Sequence, residues 1–141
     1  MGESFEVLVV THGGLGSGYL STMELLLNID REDMDIVSFE AGEEISHFKE
    51  KLSECIEGKY EDKNLVILLD IPGGTPANTV LEFISPSRRL VAGFNLPFLL
   101  ELMVLRMSGT SWEELDIEEI IFNSKNSMVY YNKILRGNKN D

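Results

Sequence analysis

His12 follows the β-prone run FEVLVVT (5–11) and leads into Gly13 and Gly14. Asp70 closes a second apolar run, LVILLD (65–70), and leads into PGGTP (72–76). An unpaired carboxylate at the end of an apolar strand loses hydration. Facing His12, it accepts the proton of one ring nitrogen and leaves an outward lone pair on the other. An imidazole held this way is a nucleophile suited to phosphorus, able to carry a phosphoryl group as phosphohistidine. Backbone N–H groups near Gly13, Gly73 and Gly74 can receive phosphoryl oxygens, and the Thr75 hydroxyl can add a hydrogen bond. Simpler readings stay open at each position. Glycines form turns without any catalytic reason, Asp70 before Pro72 fits a solvated turn acid, and Thr75 before Pro76 fits a helix cap.

Other chemistries fit the residues less well. Gly14, Gly16 and Gly18 give Gly-x-Gly-x-Gly, whereas a dinucleotide loop needs its third glycine where Tyr19 stands. A nucleotide P-loop fails because no Gly-Lys-Ser or Gly-Lys-Thr follows. Ser17 or Thr11 with His12 and Asp70 has the residue types of a hydrolase triad but lacks a G-x-S-x-G elbow. No metal site is expected, since His47, the second of two histidines, belongs to another helix. Cys55, the single cysteine, has no CxxC partner and reads as a small packing residue. The acidic clusters at 30–35 and 113–119 lack calcium-loop spacing.

The elements that must position His12 and Asp70 alternate along the chain. Strands are expected at 5–11, 34–39, 65–70 and 88–95. GLGSG (14–18) reads as a turn before a helix over 19–29. EEISHFKEKLSECIE (43–57) places Ile45, Phe48, Leu52 and Ile56 near one helical face. Further helices are expected over 75–84, capped by Thr75, and through 99–107, begun by Asn95, Leu96 and Pro97. Ser111 can cap an acidic segment, 112–121, while NSKNS (123–127) breaks the periodicity before MVYYNKIL (128–135). Four strand–helix alternations favour an α/β domain with a mostly parallel four-stranded sheet flanked by helices. Ligands in such sheets bind beyond the carboxyl ends of the strands. His12, Asp70 and Asn95 all fall on that edge.

With 141 residues, 43% of them hydrophobic, the chain suits one domain over 1–136 with a frayed tail at 137–141. No run approaches the roughly 20 apolar residues of a membrane span. A formal charge of −12 argues against nucleic acid or anionic lipid as a partner. One cysteine and no basic, apolar leader point to the cytoplasm.

Three segments in order, VLVVTHGGLGSGYLSTMELLL, LVILLDIPGGTPANTVLEF and VAGFNLPFLLELM, resemble the IIA component of the mannose/fructose/sorbose-type sugar phosphotransferase system. The combination of THG, D-x-x-G-G-T-P-x-N and G-x-N-x-P carries the resemblance, which spans roughly 5–135. It implies a cytoplasmic, usually dimeric domain whose parallel sheet has an added strand near the dimer contact. It also implies that His12 receives a phosphoryl group from the phosphocarrier HPr and passes it to a separate IIB protein, itself associated with membrane permease subunits. Asp70 would orient the ring, Thr75 would supply the hydroxyl, and Asn95 and Pro97 would shape the rim. No cofactor is implied, because the donor already carries an activated phosphoryl group. Two related roles remain open: delivery to a dihydroxyacetone kinase, and a noncatalytic module regulated by phosphorylation.

Overall fold

The structure, a computed structural model, describes residues 2–137. Four parallel strands form its sheet: β1 (Phe5–His12), β2 (Asp35–Phe39), β3 (Asn64–Leu69) and β4 (Arg88–Ala92), in the order β2-β1-β3-β4. The β1 run Val7 to Val10 and the β3 run Leu65 to Leu69 are buried throughout, as central strands covered on both faces must be. Alternation divides them. Val7, Val9, Val66 and Leu68 face one core, and Leu8, Val10, Leu65, Ile67 and Leu69 face the other.

Helices α1 (Leu15–Leu27), α4 (Leu96–Met107) and α5 (Ile117–Lys125) cover the first face through Leu20, Met23, Leu99, Leu102 and Ile120. Helices α2 (Ile45–Ser53) and α3 (Gly74–Val80) cover the second through Phe48, Leu52, Ala77 and Val80. α2 runs on into a π-helical segment, Glu54–Lys59. Carbonyls within and just beyond this segment meet Arg88, a buried side chain that donates to Ile56 (3.2 Å), Tyr60 (2.6 Å) and Lys63 (2.6 Å). The guanidinium fork thus satisfies carbonyls that a helix terminus leaves without partners.

Several expected boundaries moved. GLGSG is not a turn: α1 already begins at Leu15. Thr11, fully buried, accepts the Gly16 N–H at 2.9 Å and does the work of a cap from the end of β1. A Cβ on Gly16 would lie 2.6 Å from Ile36 Cγ2, so only glycine lets α1 start this close to β2. Thr75 does not cap α3; Gly73 precedes the helix and Thr75 lies within it. Gly73 and Gly74 take φ of +76° and +77°, which moves the start upstream of the Thr-Pro pair. Ser111 closes a tight turn with Glu114, whose N–H it accepts at 3.2 Å, and α5 is capped by Asp116 instead. Asn95, expected among the residues that begin this helix, caps α4 by accepting the Phe98 N–H at 2.9 Å.

The C-terminal segment folds as α6 (Tyr131–Gly137), and no fifth strand is present among the described residues. The expected tail lies outside the described residues apart from Gly137. No helix among the described residues is long and apolar enough to cross a membrane.

Candidate active site

The strand order reverses between β1 and β3: the chain leaves β1 toward β2 on one side and later returns to β3 on the other. At such a switch point the loops diverge and open a crevice beyond the strands. His12 ends β1 and Asp70 follows β3 on this edge, where the parallel register pairs Val10 with Leu69. Their side chains meet. His12 Nδ1 lies 2.9 Å from Asp70 Oδ2, and the His12 backbone N–H donates to the same oxygen at 3.0 Å.

An ionised carboxylate only accepts hydrogen bonds, so this contact places the imidazole proton on Nδ1 and the lone pair on Nε2. Asp70 Oδ1 accepts the Ile71 N–H at 3.0 Å. Partial burial acts to raise the Asp70 pKa, but the two His12 hydrogen bonds, the charge the ring can carry and the Ile71 N–H outweigh it. The carboxyl is held below its ordinary value. The two groups differ in exposure: the His12 side chain is 45% exposed and that of Asp70 only 9%. The acid is enclosed, and the nucleophile faces out.

Two walls frame the ring. Phe39 meets it edge-on, with centroids 6.2 Å apart, and the Phe39 carbonyl accepts the Gly13 N–H at 3.0 Å. On the other side, a Cβ built on Gly74 would lie 4.0 Å from His12 Cε1. The PGGTP loop therefore lies beside the Cε1 edge of the ring, the carbon bonded to both ring nitrogens. The Gly13 N–H is already committed to Phe39, so Gly13 contributes a turn (φ +52°) rather than a free donor.

The remaining expected residues occupy distinct places. Thr75 is half-buried in the first turn of α3, next to Gly74. Asn95 makes two bonds: besides capping α4, its Nδ2 donates to the Ser124 carbonyl at 3.0 Å and ties α4 to α5. Pro97 is exposed in the first turn of α4. His47 stands apart on α2, bonded to Glu43 at 2.6 Å. No three His, Cys, Asp or Glu side chains converge as a metal site would need among the described residues. Tyr19 was missed by the sequence reading. It packs on Phe94 with ring centroids 4.8 Å apart, and burial followed by the Asp70 charge raises its pKa.

Residues 6–120 match the family described as the PTS system fructose IIA component. The chain belongs to this family. It is 30% identical over 121 residues to the fructose-specific EIIA component of Bacillus subtilis, covering 84% of this chain and 78% of that protein. The mannose-specific EIIAB component of Escherichia coli is 28% identical over 111 residues, 77% of this chain but only 34% of that longer protein. Among solved structures, the PTS IIA protein associated with the fucose utilization operon of Streptococcus pneumoniae superimposes with a TM-score of 0.80. That match has 28% identity and covers 96% of this chain and 99% of the other. A mannose/sorbose-specific IIA subunit from Enterococcus faecalis shares the fold, with a TM-score of 0.75 at 22% identity over 90% and 94% of the two chains. The chain is a IIA phosphotransfer component of the mannose/fructose/sorbose type.

Proposed function

We propose that His12 accepts a phosphoryl group from phosphohistidine on HPr and passes it to a histidine of IIB in the cytoplasm. The observation that carries this reading is the 2.9 Å contact between Nδ1 and Asp70, which leaves Nε2 basic on an exposed ring. In the first step Nε2 attacks phosphorus, an N–P bond forms to His12, and the N–P bond to the donor imidazole breaks. His12 keeps its Nδ1 proton, and the positive charge that develops on the ring is stabilised by Asp70. In the second step the acceptor imidazole attacks the same phosphorus and His12 leaves with its lone pair restored.

The PGGTP loop would hold the phosphoryl oxygens through the N–H groups of Gly73 and Gly74 and the Thr75 hydroxyl. Gly13 shapes the opposite turn, while Asn95 and Pro97 fix the rim through the start of α4. The family resemblance adds a homodimer acting alongside membrane permease subunits. Exposed Tyr130, Tyr131, Ile134 and Leu135 at the C-terminal end support a self-association surface.

Transfer of labelled phosphoryl from HPr tests the assignment. The wild-type domain and His47→Ala should become labelled and pass the label to IIB, whereas His12→Ala should remain folded and unlabelled. Labelling of His12→Ala, or its absence in folded His47→Ala, would overturn it.

A further inference from the structure

His12 and Phe39 are register partners at the ends of β1 and β2. Val10 and Val37 face the second core, so by alternation His12 and Phe39 return to that same side of the sheet. Their rings meet there, with centroids 6.2 Å apart and planes at 77°. The Phe39 carbonyl also accepts the Gly13 N–H at 3.0 Å, which carries the contact between the two chain segments one residue past His12.

Phe39 is itself held from three directions. Behind it stands Phe48, a fully buried ring 4.9 Å away at 60°. On one side, Lys51 Nζ donates to the Ser38 carbonyl at 2.7 Å. On the other, the Glu40 N–H donates to Glu43 at 2.9 Å. Lys51 and Glu43 then pair with each other at 2.9 Å, closing a clamp around the residue between Ser38 and Glu40. The exposed imidazole has no such support of its own. Swung about its Cα–Cβ bond into water, it would have no acceptor to keep its proton on Nδ1.

We propose that Phe39 is a positioning residue for His12: its ring, braced by Phe48 and by the Lys51–Glu43 clamp, keeps the imidazole turned onto Asp70. Nδ1 then keeps its proton and Nε2 its lone pair. The functional meaning rests on His12 as the phosphoryl carrier, but the positioning does not.

The tautomer ratio of His12, read by ¹⁵N NMR of the neutral ring in alkaline buffer, tests this without any donor protein. Phe39→Leu keeps an apolar side chain but no ring. It should raise the Nε2–H share roughly 2- to 10-fold, the equilibrium equivalent of one aromatic pair, and slow phosphoryl acceptance by a similar factor. Phe39→Tyr keeps the ring and should preserve the wild-type ratio. An unchanged ratio in Phe39→Leu overturns the proposal, as does an equal shift in Phe39→Tyr, because the ring would then not be the cause. A wild-type domain without nuclear Overhauser contacts between the two rings also overturns it, whether or not Phe39→Leu folds. A wild-type domain that accepts no phosphoryl group would sink the transfer reading while leaving the tautomer result decisive here.

Discussion

Asp70 Oδ2 accepts two hydrogen bonds from one residue, the His12 backbone N–H at 3.0 Å and the ring Nδ1–H at 2.9 Å. The backbone bond fixes the carboxylate against β1, and the ring bond then fixes the imidazole against the carboxylate. Asp70→Ala removes both. The ring can then adopt either tautomer, and the charge that develops on it during transfer has no counterion. Acceptance of phosphoryl from HPr should slow by roughly 10²- to 10³-fold, as for other groups that hold a proton and orient a catalytic histidine. Rapid-quench transfer rates would show this, and equal rates in a folded variant would remove Asp70 from the mechanism.

Gly16 controls where α1 begins. A Cβ there would lie 2.6 Å from Ile36 Cγ2 and 3.2 Å from Thr11 Oγ1, so Gly16→Ala must push the helix off β2 or turn Ile36. Overpacking of this kind costs about 1–3 kcal/mol. The double variant Gly16→Ala with Ile36→Ala should recover part of the loss by making room. Urea unfolding of the wild type, the two single variants and the double variant measures the coupling, and strictly additive effects would show that the two residues do not collide.

The fold was legible because its signals were local and repeated. Continuous apolar strands such as LVILL mark a sheet covered on both faces, and alternating strands and helices mark parallel order. His12 and Asp70 were legible because each follows such a strand. Helix starts were less so. Glycine costs roughly 1 kcal/mol in a helix relative to alanine, so Gly14 to Gly18 read as a turn. Their use in α1 depends on Ile36 from another strand and on the Thr11 hydroxyl, which no local pattern displays. Ser111 looked like the cap of α5, but Glu114 captures it in a turn and Asp116 takes over. Tyr19 passed for one more apolar position on an amphipathic helix. Only the strand order, which lays β3 between its helix and Phe94, brings it against Phe94.

Arg88 stabilises the far end of the sheet without a carboxylate partner. Its guanidinium bonds the Ile56, Tyr60 and Lys63 carbonyls, and burial works against its charge more than Glu57 supports it. Arg88→Met keeps much of the apolar stem but leaves those carbonyls without a donor. The loss should be about 3 kcal/mol, the combined effect of hydrogen bonds to a charged donor and of buried groups left unpaired. Arg88→Lys should recover less than half, because an ammonium cannot span the fork. Denaturant midpoints decide this, and an unchanged midpoint in Arg88→Met would mean that the carbonyls find other partners.

Glu43 gives the acid limb of stability its shape. Its carboxylate accepts the Glu40 N–H at 2.9 Å and bonds Lys51 at 2.9 Å and His47 at 2.6 Å. The Glu40 N–H, followed by Lys51 and then His47, brings its pKa from 4.5 to about 2. A carboxyl whose folded value is depressed contributes stability that is complete above its unfolded value and is lost as pH falls through the folded one. Between pH 4.5 and about 2 the wild type should therefore lose stability more steeply than Glu43→Gln. The two curves should stand apart at neutral pH and converge at the acid end. Urea midpoints across that interval measure the difference, and curves that run parallel would show that Glu43 keeps an ordinary affinity for its proton in the folded chain.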